Sequence, residues 1–198
     1  AHHGMYLEDL PFWQDLAAQQ GGPILELGCG TGRILLRLSQ AGYAAVGLDN
    51  DHDMLRFLLR RLPAGSPGRI FLADMASYHL AQQYPLIIMP CNTLSTLPAE
   101  DRPQVFACLK RHLSTGGVFA ASLPNPAVLR TMPARGDEEV EEMLEHPETK
   151  GPLQVSSAWR RSKQAFTVTW HYDHLRPDGM IERLSVRAHH SLAPVEVY

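Results

Sequence analysis

Short apolar runs, each closed by a glycine, an aspartate or a proline and separated by stretches of helical period, constrain this chain more than any other feature. Residues 24–27, 43–48, 69–73, 86–89 and 118–123 read as strands of a largely buried sheet. Between them, apolar side chains recur at the spacing of one helix face: Ile34, Leu35, Leu38 and Ala41, then Met54, Leu55, Leu58 and Leu62, then Val105, Phe106, Leu109 and Leu113. A further helix over residues 11–20 carries Phe12, Trp13, Leu16 and Ala17 and stops at Gly21-Gly22. Strands alternating with helices require a parallel sheet with crossover connections, so the expected class is α/β, with a doubly wound, mostly parallel sheet. Asp49, Asp51 and Asp53 are placed to cap the second of the inner helices, and Gly116-Gly117 is expected to end the last one.

After Pro124 the rhythm changes. Residues 125–150 are rich in proline and acid, and the concentration of Glu138, Glu139, Glu141, Glu142 and Glu145 predicts a solvated helix and loop. From Leu153 onward a period of two takes over, with Phe166, Val168, Trp170 and Tyr172 on one face and Arg176-Pro177-Asp178-Gly179 as a turn. The expected organisation is therefore a core over residues 1–123 and an added antiparallel hairpin segment over 124–198, continuing the same domain as a cap on a substrate. The 198 residues leave room for one ordinary domain. A net charge of -3 offers no basic footprint for nucleic acid, and no apolar run has the length to cross a bilayer. Cys29, Cys91 and Cys108 form no CxxC pair, which predicts reduced thiols and a cytoplasmic protein. His2 and His3 are given no function.

The chemistry concentrates where the first strand turns into the first inner helix, at Glu26-Leu27-Gly28-Cys29-Gly30-Thr31-Gly32. Open α/β sheets bind ligands at the carboxyl ends of their strands; glycines there let a ligand lie against the backbone, and free N–H groups at the helix start favour a negative group. A structural corner would also use glycines, but it would not need the acids that follow. Asp49 closes the second strand about twenty residues on, where a carboxylate can accept both hydroxyls of a ribose. Asp74 closes the third, where it can accept an adenine amine while the backbone of Met75 reads the ring edge. Three strand ends thus converge on one adenosine-bearing ligand. A dinucleotide fingerprint wants glycine at its sixth position, where this chain has Arg33, which disfavours a nicotinamide cofactor.

Glycine at the first, third and fifth positions after an acid, followed by Val46-Gly47-Leu48-Asp49, Leu72-Ala73-Asp74-Met75 and Leu86-Ile87-Ile88-Met89-Pro90-Cys91-Asn92-Thr93-Leu94, resembles the class I S-adenosylmethionine-dependent methyltransferases over residues 7–123. The resemblance implies a Rossmann-like core and S-adenosyl-L-methionine as cofactor, with S-adenosyl-L-homocysteine as product. It implies that Gly28, Cys29, Gly30 and Gly32 carry the cofactor's methionine part, that Asp49 with Asn50 holds the ribose, and that Asp74 with Met75 holds the adenine. Glu26 would support the turn, Tyr6 and Arg33 would close over the cofactor's carboxylate, and Cys91 and Asn92 would flank the methyl group. Many family members carry an Asn/Asp-Pro-Pro-Tyr/Phe sequence after the fourth strand; Met89-Pro90-Cys91-Asn92 stands here instead, which turns the expectation from a nucleobase amine to a small-molecule acceptor.

Methyl transfer needs orientation more than proton chemistry. Asn92, His171 and His174 are candidates for a catalytic role, His171 or His174 as a base for a hydroxyl acceptor. A shared metal is disfavoured, because His171 and His174 would point to opposite faces of a strand. Two other readings stay open: a binding module that keeps the cofactor pocket without turnover, and an NAD(P)-dependent oxidoreductase. Relatives with such a hairpin usually continue with a helix and a last strand, so a chain stopping at Tyr198 is expected to be truncated.

Overall fold

The computed structural model describes residues 7–63, 65, 68–146 and 148–194, and the chain divides into two compact units, Ala1–Leu123 and Pro124–Tyr198. The first unit runs α1 (Leu10–Gln20), β1 (Ile24–Leu27), α2 (Leu35–Gln40), β2 (Ala45–Asp49), α3 (His52–Leu59), β3 (Arg69–Leu72), β4 (Tyr84–Met89), α4 (Thr93–Thr96), α5 (Arg102–His112) and β5 (Leu113–Ala121). Its strands form one parallel sheet in the order β3-β2-β1-β4-β5. β1 is central, with Ile24 beside Ala45 on one side and Leu86 on the other, and all four of its residues are buried. That is why its sequence is apolar except at Glu26. Trp13, Ile34, Leu35, Leu38 and Leu58 pack against the sheet. The strand order reverses between β1 and β4, and the crevice at their carboxyl ends is where a doubly wound sheet receives a ligand.

Two helix boundaries differ from expectation. α2 begins only at Leu35, and Ala41 is its exposed C-cap rather than part of the inward face. α5 ends at His112, so Gly116 and Gly117 fall inside β5. Leu113 is already paired with Tyr84, and the register then slips before Leu86 pairs with Val118. A Cβ at Gly117 would come within 3.0 Å of the Pro85 carbonyl oxygen, so the glycine serves a close approach of backbones and not a helix cap.

The second unit holds α6 (Pro126–Thr131), β6 (Arg135–Glu145), β7 (Pro152–Arg161), β8 (Ala165–Leu175) and β9 (Ile181–Ser191). The four strands form an antiparallel sheet in sequence order. The hairpin turn closes through Gly179 N–H donating to the Arg176 carbonyl at 3.0 Å. The acidic stretch expected as a solvated helix is instead β6. A helix would set Glu138 and Glu145 among like charges three and four residues away, which repel; as a strand the segment pairs with β7, and Glu138 accepts a hydrogen bond from Ser156 at 2.6 Å. No helix among the described residues is long and apolar enough to cross a membrane.

Candidate functional site

Gly28, Gly30 and Gly32 all take positive φ, at +73°, +50° and +85°, the left-handed region that excludes most side chains. Their amides are satisfied within the fold: Gly28 N–H donates to the Leu48 carbonyl at 2.8 Å, Gly30 N–H to Asp49 Oδ2 at 2.7 Å and Gly32 N–H to the Cys29 carbonyl at 2.9 Å. These amides are therefore not the free donors expected at a helix start, and neighbouring side chains lie against the turn, Met54 Sδ 3.5 Å from where a Cβ on Gly30 would stand. A Cβ on Gly28 would sit 2.9 Å from Thr93 Cγ2 and 3.6 Å from Met75 Cε. The ends of β1, β3 and β4 meet at this point.

Asp49 ends β2, buried, with no ion pair among the described residues; besides Gly30, it accepts from Asp51 N–H on Oδ1 at 2.9 Å. Each carboxylate oxygen accepts one of these bonds and keeps capacity for another. Asp51 in turn caps α3, accepting from the amides of Asp53 and Met54. Asn50 is exposed between the two acids. Asp74 is exposed after β3, its Oδ1 accepting from Ala76 N–H at 2.8 Å.

Glu26 is buried under the turn, and its Oε2 has no hydrogen-bond partner. Burial pushes its pKa up to about 8, with the nearby Asp49 adding to the rise and Arg33 opposing it. Cys29 is buried too; burial holds its thiol well above the usual range, and a Cβ at Gly47 would meet its Sγ at 2.7 Å. It is a packing residue.

After β4, Cys91 and Asn92 both stand at positive φ, 58° and 59°. Such a conformation costs a non-glycine residue about 1–3 kcal/mol and persists where its surroundings enforce it. Ser122 does so by accepting from Asn92 N–H at 2.9 Å, and Ser95 Oγ donates to the Asn92 carbonyl at 2.6 Å. Arg33 reaches from the turn to Cys91 Sγ at 3.2 Å and forms a two-pronged pair with Asp9, whose carboxyl it holds below the usual range. Asp9 also accepts from Trp13 Nε1 at 2.8 Å. Sequence reasoning missed Asp9 and passed over Thr93; an acid just before an apolar helix reads as a cap, and nothing local tells of a partner at position 33.

Tyr6 lies outside the described residues. His171 and His174 belong to the second unit and point to opposite faces of its sheet. His171 Nδ1 lies 2.7 Å from Ser185 Oγ, while His174 is buried, stacked on His146, with Nε2 at 2.7 Å from Thr149 Oγ1.

A buried acid with an unpaired oxygen, a turn whose three glycines all take positive φ and a second buried carboxylate at the neighbouring strand end suit a nucleoside with an amino-acid tail. Fold and site are similar to those of the class I S-adenosylmethionine-dependent methyltransferases, whose cofactor is S-adenosyl-L-methionine. Residues 24–117 match the family of the methyltransferase domain. YqeM of Bacillus subtilis (strain 168), a methyltransferase by name, is 28% identical over 109 residues; the match takes in 54% of this chain and 44% of that protein, so the chain spans less than half of this relative's length. Among solved structures, the sugar N-methyltransferase KedS8 from Streptoalloteichus superposes with a TM-score of 0.78 at 20% identity, over 98% of this chain and 77% of the other. CalS10 from Micromonospora echinaspora, an amino pentose methyltransferase solved with its cofactor bound, gives 0.72 at 18% identity, over 100% and 82%.

Proposed function

We propose that this chain transfers the methyl group of S-adenosyl-L-methionine to a small-molecule acceptor. The observation that carries the reading is the buried carboxylate of Asp49, fixed by Gly30 N–H at 2.7 Å at the end of β2, beside a turn whose three glycines all take positive φ. When bound, the cofactor supplies a methyl carbon made electrophilic by a sulfonium. Asp49 accepts the ribose hydroxyls, two charge-assisted bonds of about 1.5–3 kcal/mol each. Gly28 and Gly30 let the methionine portion rest on peptide, Glu26 meets its amine from below, and Asp74 with Met75 bounds the adenine. In-line transfer would need the acceptor's lone pair aligned with that carbon, with the sulfur as leaving group and the acceptor's proton going to solvent. Cys91 and Asn92, held in their unusual backbone conformation, orient the acceptor, and orientation alone supplies about 7–11 kcal/mol of such a barrier. The names of KedS8 and CalS10 support a small acceptor and put an amine-bearing sugar among the first to try.

Calorimetry with S-adenosyl-L-homocysteine tests the pocket. Wild-type protein is expected to bind and Asp49→Ala to lose about tenfold or more, and tight binding of oxidised nicotinamide dinucleotide in its place would overturn the reading. Labelled methyl transfer into a metabolite pool tests the activity; cofactor binding with no transfer to any pool would make the chain a binding module.

A further inference from the structure

Direct cross-strand neighbours in an antiparallel sheet share a face. The registers of the second unit therefore line up Arg135, Arg160, Thr167 and His189 in one row across all four strands, with Thr169 and Arg187 in the next row on the same face. Farther along that face, the charges are matched. Arg183 pairs with Asp173 at 2.6 Å and with Glu138 at 2.9 Å, and His171 lies 3.8 Å from Glu138. Arg135, Arg160 and Arg187 have no such match: among the described residues none forms an ion pair or a side-chain hydrogen bond. Arg135 and Arg160 stand directly opposite each other, an arrangement of like charges that costs stability unless an anion sits between them.

All three arginines line one cavity of about 570 Å³, within the range of small-ligand pockets, together with Thr167, Thr169 and His189. Asp137 and Glu138 border it as well, but Glu138 is committed to Ser156 and Arg183, which leaves Asp137 against three guanidiniums. The row spans three strand spacings, about 14 Å, too wide for one small ion and suited to a ligand with adjacent anionic groups. Guanidinium forks match phosphoryl oxygens two bonds at a time, and the Thr169 hydroxyl adds a donor, while Thr167 Oγ1 lies 2.9 Å from His189 Nδ1. We infer that this face of the β6-β7-β8-β9 sheet is a binding site for the diphosphate group of a small molecule, held by Arg135, Arg160 and Arg187. The site is built from second-unit residues alone and does not rest on methyl transfer.

The test titrates inorganic pyrophosphate into the full chain by calorimetry, for wild type, Arg160→Gln, Arg187→Gln, the double variant and Arg176→Gln. Arg176 is a control: it pairs with Asp178 and Glu182 around the β8–β9 turn and does not line the cavity. Saturable binding is expected in wild type and Arg176→Gln alike, weakened about tenfold by each cavity substitution and further by added salt. Inorganic phosphate and uridine diphosphate titrated alongside separate a lone oxyanion from a diphosphate and from a nucleotide that carries one; phosphate binding as tightly as pyrophosphate would overturn the diphosphate assignment. Absence of saturable binding, or equal affinity in the double variant, would overturn the site, as would a single-stranded RNA oligomer that binds while pyrophosphate fails to compete. Melting temperature and S-adenosyl-L-homocysteine affinity, both expected unchanged in the double variant, show that the variants fold and keep failure of this site distinct from failure of the methyltransferase reading.

Discussion

A carboxyl group buried beneath a turn titrates against the fold. Glu26 moves from 4.5 to about 8, so the folded state favours its protonated form. The stability this contributes is complete below pH 4.5 and is lost as pH climbs through about 8. Glu26→Gln keeps the shape and removes the charge, and is expected to flatten the pH dependence of the melting temperature across that window; a wild-type slope retained in the variant would show that another group is responsible. A ligand amine placed near Oε2 favours the ionised form, so cofactor binding near neutral pH should release a proton in wild type and not in Glu26→Gln, read from calorimetry in buffers of different ionisation enthalpy. Gly32 makes a different demand. A Cβ there would lie 2.3 Å from Leu58 Cδ1 at a φ of +85°, so Gly32→Ala combines a backbone penalty with overpacking and is expected to cost about 2–4 kcal/mol in denaturant unfolding. The glycines and acids of this site were legible because each has a chemical reason to stand at a strand end; the Asp9–Arg33 pair was not, because its partners lie 24 residues apart with no pattern linking them.

Helix α3 is positioned by the residue that precedes it. Asp51 satisfies two amides there, and Asp51→Ala is expected to cost about 1 kcal/mol of stability. The same change removes the acid that donates its amide to Asp49, the residue proposed to hold the ribose, so urea unfolding separates the cap's contribution from any change in cofactor affinity. β1 and β4 could be read from sequence because burial on both faces leaves a mostly apolar run. β6 could not. Its composition favours a helix, and only pairing with β7 makes it a strand, a tertiary fact that overrides local preference. Gly116 and Gly117 misled for a related reason: paired glycines mark both a helix end and a bulge, and the distinction lies in the Tyr84–Leu86 segment across the sheet.

At the scale of the whole molecule, every described candidate for holding the cofactor falls between Glu26 and Asn92, inside the first unit, which has its own sheet and core. A fragment ending at Leu123 is therefore expected to bind S-adenosyl-L-homocysteine within about threefold of the full chain, since it keeps all of these residues with their sheet and core. A larger loss, measured by calorimetry on a fragment shown by circular dichroism to fold, would mean that residues beyond 123 complete the pocket.

The two flanks of the four-stranded sheet are unlike. β6 carries Glu138, Glu139, Glu141, Glu142 and Glu145 along one border, while β9, at the other, exposes Ile181, Leu184 and Val186. A stray extended peptide is turned away by acid on the first side and meets greasy residues beside unpaired backbone on the second. When this protein is concentrated or warmed, clumping should therefore begin along β9, and a lysine at position 184 should delay the onset of turbidity.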